Sequence, residues 1–193
     1  DLGRIPNGVV SRYPIRDAGY WDDPQVSDRE LVWARIDVPG DRDLWAVSVH
    51  LLTANEGVRN TEAQALVNYI KGQVPARDYL AIAGDFNTDS RGEPCLDTLR
   101  QVIVVPTQAP EDQAKNGNTN ASRRKPYDWV LADPDLDPRQ VPVTIGGATF
   151  PAGLVFDSRV YMPLGDVKPV LLGDSGAANM QHMAVVRDFL VGD

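Results

Sequence analysis

LWAVSVHLLTANEGVRNTEAQALVNYIKGQVPARDYLAIAGDFN, residues 44–87, decides the fold. Leu44 to Leu52 reads as a strand rich in aromatic and β-branched residues. Thr53-Ala-Asn-Glu56 fits a capping box at the start of a helix. Within that helix Ala63, Leu66, Val67, Ile70 and Val74 follow the apolar spacing of one buried face, and Pro75 ends it. Tyr79 to Gly84 is apolar on both faces, as a central buried strand must be. A strand, a helix and a second strand in this order form a crossover, so the two strands are expected to run parallel.

Upstream, Gly8 to Ile15 reads as a strand ending near a proline, and residues 16–29 as a polar loop. Glu30 to Val38 is a strand, and Pro39-Gly40-Asp41 is a turn that makes it the hairpin partner of 44–52. Downstream, Ser90-Arg-Gly-Glu93 fits a second capping box with Pro94 in the first helical turn, so Ser90 and Glu93 are assigned to capping. Val102 to Val105 is a short strand, and Tyr127 to Ala132 a further one. Residues 133–180 are broken by prolines and glycines, with short strands at 141–150 and 153–160. Met183 to Val191 closes the chain as a strand. The pattern is α/β (or α+β) with a mixed sheet, and residues 1–193 form one domain or most of one.

A hydrophobic content of 42% with 24% charged residues fits a folded globular chain and argues against disorder. No apolar run approaches the ~20 residues that span a bilayer. The chain opens at Asp1 rather than methionine, so a signal peptide would lie upstream and the compartment stays open. The single cysteine, Cys95, excludes an internal disulfide and a multi-cysteine metal site. A net charge of −8 opposes tight non-specific binding of polyanions. One stretch departs from this acidic background. Gln113 to Tyr127 holds Lys115, Arg123, Arg124 and Lys125 and no acid. Its asparagines and glycine make it a loop, and Asn120, Arg123, Arg124 and Lys125 are candidates for contacting an anionic substrate.

The chain has two histidines, and both fall beside strand ends. His50 is near the end of 44–52, and Asp85 and Asn87 lie just past the end of 79–84. Asp128 starts its strand, and His182 immediately precedes the last one. If the two later strands run antiparallel to the first pair, all five residues meet at one edge of one sheet. Asp85 and Asn87, two apart, face the same side in extended geometry. Taken alone, Gly84-Asp-Phe-Asn87 could be a simple Asx turn.

The ordered set of motifs resembles the endonuclease/exonuclease/phosphatase family of metal-dependent phosphoesterases. Asn7 to Ile15 resembles the strand opening the family's second segment. Ser48-Val-His-Leu51 resembles its first histidine motif, and Gly84-Asp-Phe-Asn87 its best-known signature. Tyr127-Asp-Trp-Val-Leu131 resembles its later strand, and Gln181-His182 falls where the family has Asp-His. The resemblance implies a four-layer α/β/β/α sandwich with two mixed sheets, here lacking its first strands, so that residues 1–193 are the larger, C-terminal part of one domain. It implies Mg²⁺, or Mn²⁺ or Ca²⁺, held in part by Asp85, Asn87 and Gln181. Asp85 would orient or deprotonate water, and Asn87 would hold the phosphate. His182 would stabilise phosphoryl oxygens or share the base role, with Asp128 fixing its tautomer. His50 would donate a hydrogen bond or a proton near the leaving group. Asp89 is a candidate for the surrounding shell.

The implied function is phosphoester hydrolysis, first a phosphodiesterase or nuclease. A small-molecule (lipid or inositol) phosphatase and a non-catalytic binding relative are the alternatives. Two departures stand out. The family's glutamate ligand would precede this segment, so an upstream segment is an expected partner and strand faces around Val9, Ile36, Val47 and Ile82 are expected to lie open. Gln181 replaces an acid, which weakens cation binding, with Asp174 as a nearby substitute. Gly173-Asp-Ser-Gly176 also resembles the nucleophile motif of trypsin-like proteases, but the accompanying histidine motif and disulfides are missing, and it reads as a turn.

Overall fold

The computed structural model describes residues 4–192; residues 1–3 and 193 lie outside it. A five-stranded mixed sheet, in the order β1-β2-β3-β4-β5, dominates the molecule. Its strands are β1 (Ile15–Asp22), β2 (Glu30–Ile36), β3 (Leu44–His50), β4 (Tyr79–Asp85) and β5 (Asp128–Ala132). β3 and β4 are parallel and every other neighbouring pair is antiparallel. The helix α1 (Glu56–Gln73) supplies the crossover, and α2 (Pro94–Leu99) packs beside it.

The alternation of the strands decides which face meets the helices. Trp45, Val47 and Val49 on β3, Leu80 and Ile82 on β4, and Trp129 and Leu131 on β5 point one way. They share a core with Ala63, Leu66, Val67 and Ile70 of α1. Val47 and Ile82 are therefore covered within the chain, against the expectation that they lie open. Ile36 is buried too, under Val9, Tyr13 and Val191 on the other face. Most of the residues left partly open on that face are small, Ala46, Ser48, Ala81 and Ala83, beside Leu44 and Val130.

Short strands complete that second side. β6 (Gln140–Val141) pairs with β11 (Asp188–Phe189), β7 (Val143–Ile145) with β8 (Ala148–Phe150), and β9 (Leu154–Phe156) with β10 (Ala184–Val186). β10 lies against β5, and Phe189 and Val191 pack with Tyr79, Ala81 and Leu136. Val143, Phe150, Leu154 and Tyr161 form a separate small core. The closing segment is therefore two short strands, β10 on β9 and β11 on β6, and not one strand of the central sheet.

Three local readings need correction. Gly8 to Pro14 is irregular, with Val10 fully exposed. The strand begins at Ile15 and runs through the segment expected to be a loop. Gly19 makes that pairing possible, because the Trp33 ring lies where a side chain would stand, with its Cζ2 2.7 Å from a Cβ position. The cap of α1 is Asn55, whose Oδ1 accepts from the Val58 N–H at 3.0 Å, and not Thr53. Glu93 occupies the N-cap position of α2 without capping it. Its carboxylate instead takes a bidentate pair from Arg59, 2.8 Å on each branch, with both side chains buried. Ser90 bonds only the Gly92 N–H nearby, at 3.3 Å.

Candidate active site

The site forms where three strands end on one rung. In the β3–β4 ladder His50 stands opposite Asp85, and in the β4–β5 ladder Asp85 stands opposite Asp128. All three belong to the face away from the helices, because each shares the parity of Ala46, Ala83 or Val130. Close approach of β3 and β4 here requires Gly84. Its φ is +138°, and a Cβ would stand 2.1 Å from the Val49 carbonyl oxygen.

Past Asp85 the chain turns sharply. Asn87 has φ +51°, and its N–H donates to Asp85 Oδ1 at 2.8 Å. Its Nδ2 donates to the Leu51 carbonyl (2.8 Å) and to Asp85 Oδ2 (3.1 Å). The local turn and the site are thus the same object: the Asx turn fixes both side chains. Thr88, fully buried, bonds the Pro126 carbonyl at 2.5 Å and accepts from Trp129 Nε1 at 2.9 Å, so this loop is tied to the approach of β5.

His182 arrives from outside the central sheet. It makes a bridge with Asn120, and its Nδ1 lies 3.1 Å from Asp128 Oδ2. Its Nε2 is 3.6 Å from Asp85 Oδ2, and His50 Nε2 is 3.4 Å from the same oxygen. The five residues do converge: His50, Asp85 and Asp128 stand on one rung of the sheet, Asn87 follows β4, and His182 comes from the segment leading into β10. Ligand atoms of Asp85, Asp128 and His182 all lie within 4.8 Å of one another. Two carboxylates and an imidazole are a donor set that suits a divalent cation. The side chains of Asn87, Asn120, Ser122, Tyr127 and Gln181 help to line an adjoining pocket of about 420 Å³.

The charges are arranged unevenly. Burial raises Asp85 to about 6, with Asp128 adding to the rise and the Asn87 hydrogen bond opposing it. The Asp128 hydrogen bond raises His182. Burial lowers His50, and Arg29 and His182 add to that effect. Arg29 is itself buried, with Nη1 3.5 Å from the His50 carbonyl oxygen. Glu62 of α1 is fully buried and accepts from the Leu52 N–H at 3.1 Å on either oxygen. Burial pushes it up to about 8, and Asp23 adds to the rise.

The basic loop behaves differently from its reading. Arg123 turns inward, with Nη2 2.7 Å from Asp112 Oδ2 and Nη1 on Asp157. It does not face the pocket. Lys125 pairs with Asp89 and lies over the Tyr127 ring. Arg124 is exposed, while Asn120 reaches the pocket but uses its Oδ1 to accept from the Arg124 and Lys125 N–H groups. Gln181 borders the pocket and is exposed. Asp174 accepts from the Leu171 N–H at 2.8 Å within its own turn, and Ser175 Oγ accepts from the Ser158 N–H at 2.9 Å. Gly173–Gly176 is therefore structural. Sequence reasoning missed Arg29, Glu62 and Thr119. Their contacts with His50, Leu52 and Asp128 form only in the fold, and no local pattern marks them.

Comparison with protein-family profiles and with curated proteins finds no match. Among solved structures, an endonuclease/exonuclease/phosphatase family protein from Bacteroides thetaiotaomicron superposes with a TM-score of 0.51 at 14% identity, covering 72% of this chain and 61% of that one. The fold is that of an endonuclease/exonuclease/phosphatase protein. A functionally unknown conserved protein from Enterococcus faecalis V583 gives 0.50 at 14% identity, over 62% of this chain and 54% of that one. Sphingomyelinase C from Streptomyces griseocarneus gives 0.49 at 15%, over 73% and 62%. The chain thus spans little more than half the length of these structures. Among the described residues, no helix is long and apolar enough to cross a membrane.

Proposed function

We propose that the chain belongs to a hydrolase of phosphoester bonds that works with a divalent cation, Mg²⁺ first, held by Asp85, Asp128 and His182. The observation that carries this reading is the shared rung of His50, Asp85 and Asp128, closed by the His182–Asp128 contact. When bound, the cation would neutralise phosphate oxygens and lower the pKa of a coordinated water. The chain's own residues do the rest. Asp85, braced by two bonds from Asn87, orients the water and takes its proton. Asp128 accepts from His182 Nδ1–H, which fixes the ring's tautomer and leaves Nε2 directed toward Asp85, where it would ligate the cation. His50, held neutral by burial and by Arg29, serves as a hydrogen-bond donor rather than as a charged acid.

For the substrate, a small phosphoester is favoured over a polyanion. Arg123 and Lys125 are engaged by Asp112, Asp157 and Asp89, and apart from Asp85 and the two histidines the pocket wall carries no charged side chain. A net charge of −8 points the same way. The test is hydrolysis of p-nitrophenyl phosphate and bis-p-nitrophenyl phosphate with Mg²⁺ or Mn²⁺ and again with chelator. Activity that vanishes with chelator and returns with the cation supports the reading. Equal rates with and without chelator would remove the cation from it.

A further inference from the structure

The pair formed by His182 and Asp128 joins residues 54 apart in sequence, and the chain leading into His182 gives it little support. Residues 171–174 and 176–181 are exposed and carry only a short 3₁₀ turn. One residue holds both halves. Thr119 is buried, at 1% exposure. Its Oγ1 accepts from the Asp128 N–H at 2.8 Å, and its carbonyl accepts from the Met183 N–H at 2.7 Å. Its own N–H donates to the Lys125 carbonyl at 2.9 Å, and its neighbour Asn120 makes the bridge to His182.

Thr119 is in turn fixed by Arg123. That guanidinium donates to the Asn118 carbonyl (2.8 Å), the Asn116 carbonyl (3.2 Å) and the carboxylates of Asp112 and Asp157. The Asn116 and Asn118 side chains donate back to the Arg123 carbonyl at 3.1 and 3.3 Å. Arg123 adopts φ +58°, and its N–H closes on the Asn120 carbonyl at 2.8 Å. The basic loop is thus wound around one of its own cations. Buried charge that is this fully paired fixes a conformation rather than awaiting a ligand.

We propose that Thr119 is a positioning residue for the His182–Asp128 pair, and that the Arg123 cluster exists to hold Thr119 in place. The catalytic consequence rests on the hydrolase reading above; the positioning itself does not. Thr119→Val keeps the shape and removes the Oγ acceptor, and Thr119→Ser keeps the acceptor. Two quantities are read in each, after circular dichroism and thermal unfolding have shown a folded chain. The first is the NMR signal of the His182 Nδ1–H, assigned with His50→Gln since the chain has two histidines. The second is cation-dependent hydrolysis, resolved into kcat and KM.

In Thr119→Val the hydrogen-bonded Nδ1–H signal is expected to disappear. kcat should fall roughly ten- to hundredfold with KM little changed, because the misplacement affects the reacting geometry more than binding. Thr119→Ser should restore both. If Thr119→Val does not fold, Thr119→Ala removes the same acceptor without the branched bulk and is read the same way. A folded variant lacking the acceptor that keeps both the signal and kcat overturns the proposal. If the wild-type chain shows no hydrolysis, the signal alone decides: its loss in the valine variant upholds the positioning while the hydrolase reading falls, and its persistence ends both.

Discussion

On the helix side of the central sheet, Trp45, Val47, Val49, Leu80, Ile82, Trp129 and Leu131 are at most 4% exposed. On the other side the same strands carry Ala46, Ser48, Ala81 and Ala83, ending in His50, Asp85 and Asp128, all partly open. Large side chains seal one face and fix the strand spacing. Small ones keep the other face low and leave its end to polar groups. The candidate site lies at the carboxyl end of the parallel pair β3–β4, on side chains placed by backbone register rather than by packing. Substitutions on the two sides should therefore fail in different ways.

The largest effect on stability is expected where the two strands touch. Gly84→Ala would put a Cβ 2.1 Å from the Val49 carbonyl at a φ of +138°. We expect it to cost on the order of 4 kcal/mol or more in urea unfolding, or to abolish the cooperative transition. A loss below about 1 kcal/mol would mean that β3 and β4 are not so closely paired. On the sealed face, Leu66→Ala at a fully buried position of α1 should cost about 2–5 kcal/mol, with hydrolysis per folded molecule retained.

The open end should show the opposite sign. Asp85 is raised to about 6 in the fold, so the folded state binds more protons than the unfolded chain between about pH 4 and 6. Its contribution to stability is present at low pH and is lost as pH rises through 6. Asp85→Asn removes that dependence. With chelator present, the variant should be more stable than wild type above pH 7 by roughly 2 kcal/mol, and the two should converge near pH 4. A variant less stable than wild type at pH 8 would show that the ionised carboxylate stabilises the fold. Smallest of all, Ala83→Gly on the open face should cost about 0.5–1 kcal/mol, little more than backbone entropy.

The same contrast explains what could be read from residues alone. The sealed face was legible: apolar period in α1, apolar strands on either side, parallel pairing by connectivity. The meeting of these residues was legible because register carries it, and Asp128 and His182 form the expected hydrogen-bonded pair. β1 was not, since it is an edge strand whose residues are mostly exposed and whose partner is set by Gly19 beneath Trp33. Gly8 to Pro14 has strand-like residues but no partner strand, and Val10 stays in solvent. Nothing near Arg123 reveals that Asp112 and Asp157 will claim it, so a charge run resembled a substrate surface. After Ala132, β7–β8 is a local hairpin within a stretch read as strands, whereas β6–β11 and β9–β10 are fixed by pairings between segments far apart, which local propensity does not encode.

The central claim is that the Asp85 rung is a hydrolytic centre and not only a turn with charged neighbours. Cation-dependent phosphoester hydrolysis by Asp85→Asn, measured beside wild type at pH 7.5 ± 0.5 (about neutral) in the longest form of the protein that is active, tests it most directly. A fall of about 10³-fold or more in kcat is expected from a variant that is folded and more stable than its parent. Wild-type turnover in that variant would contradict it.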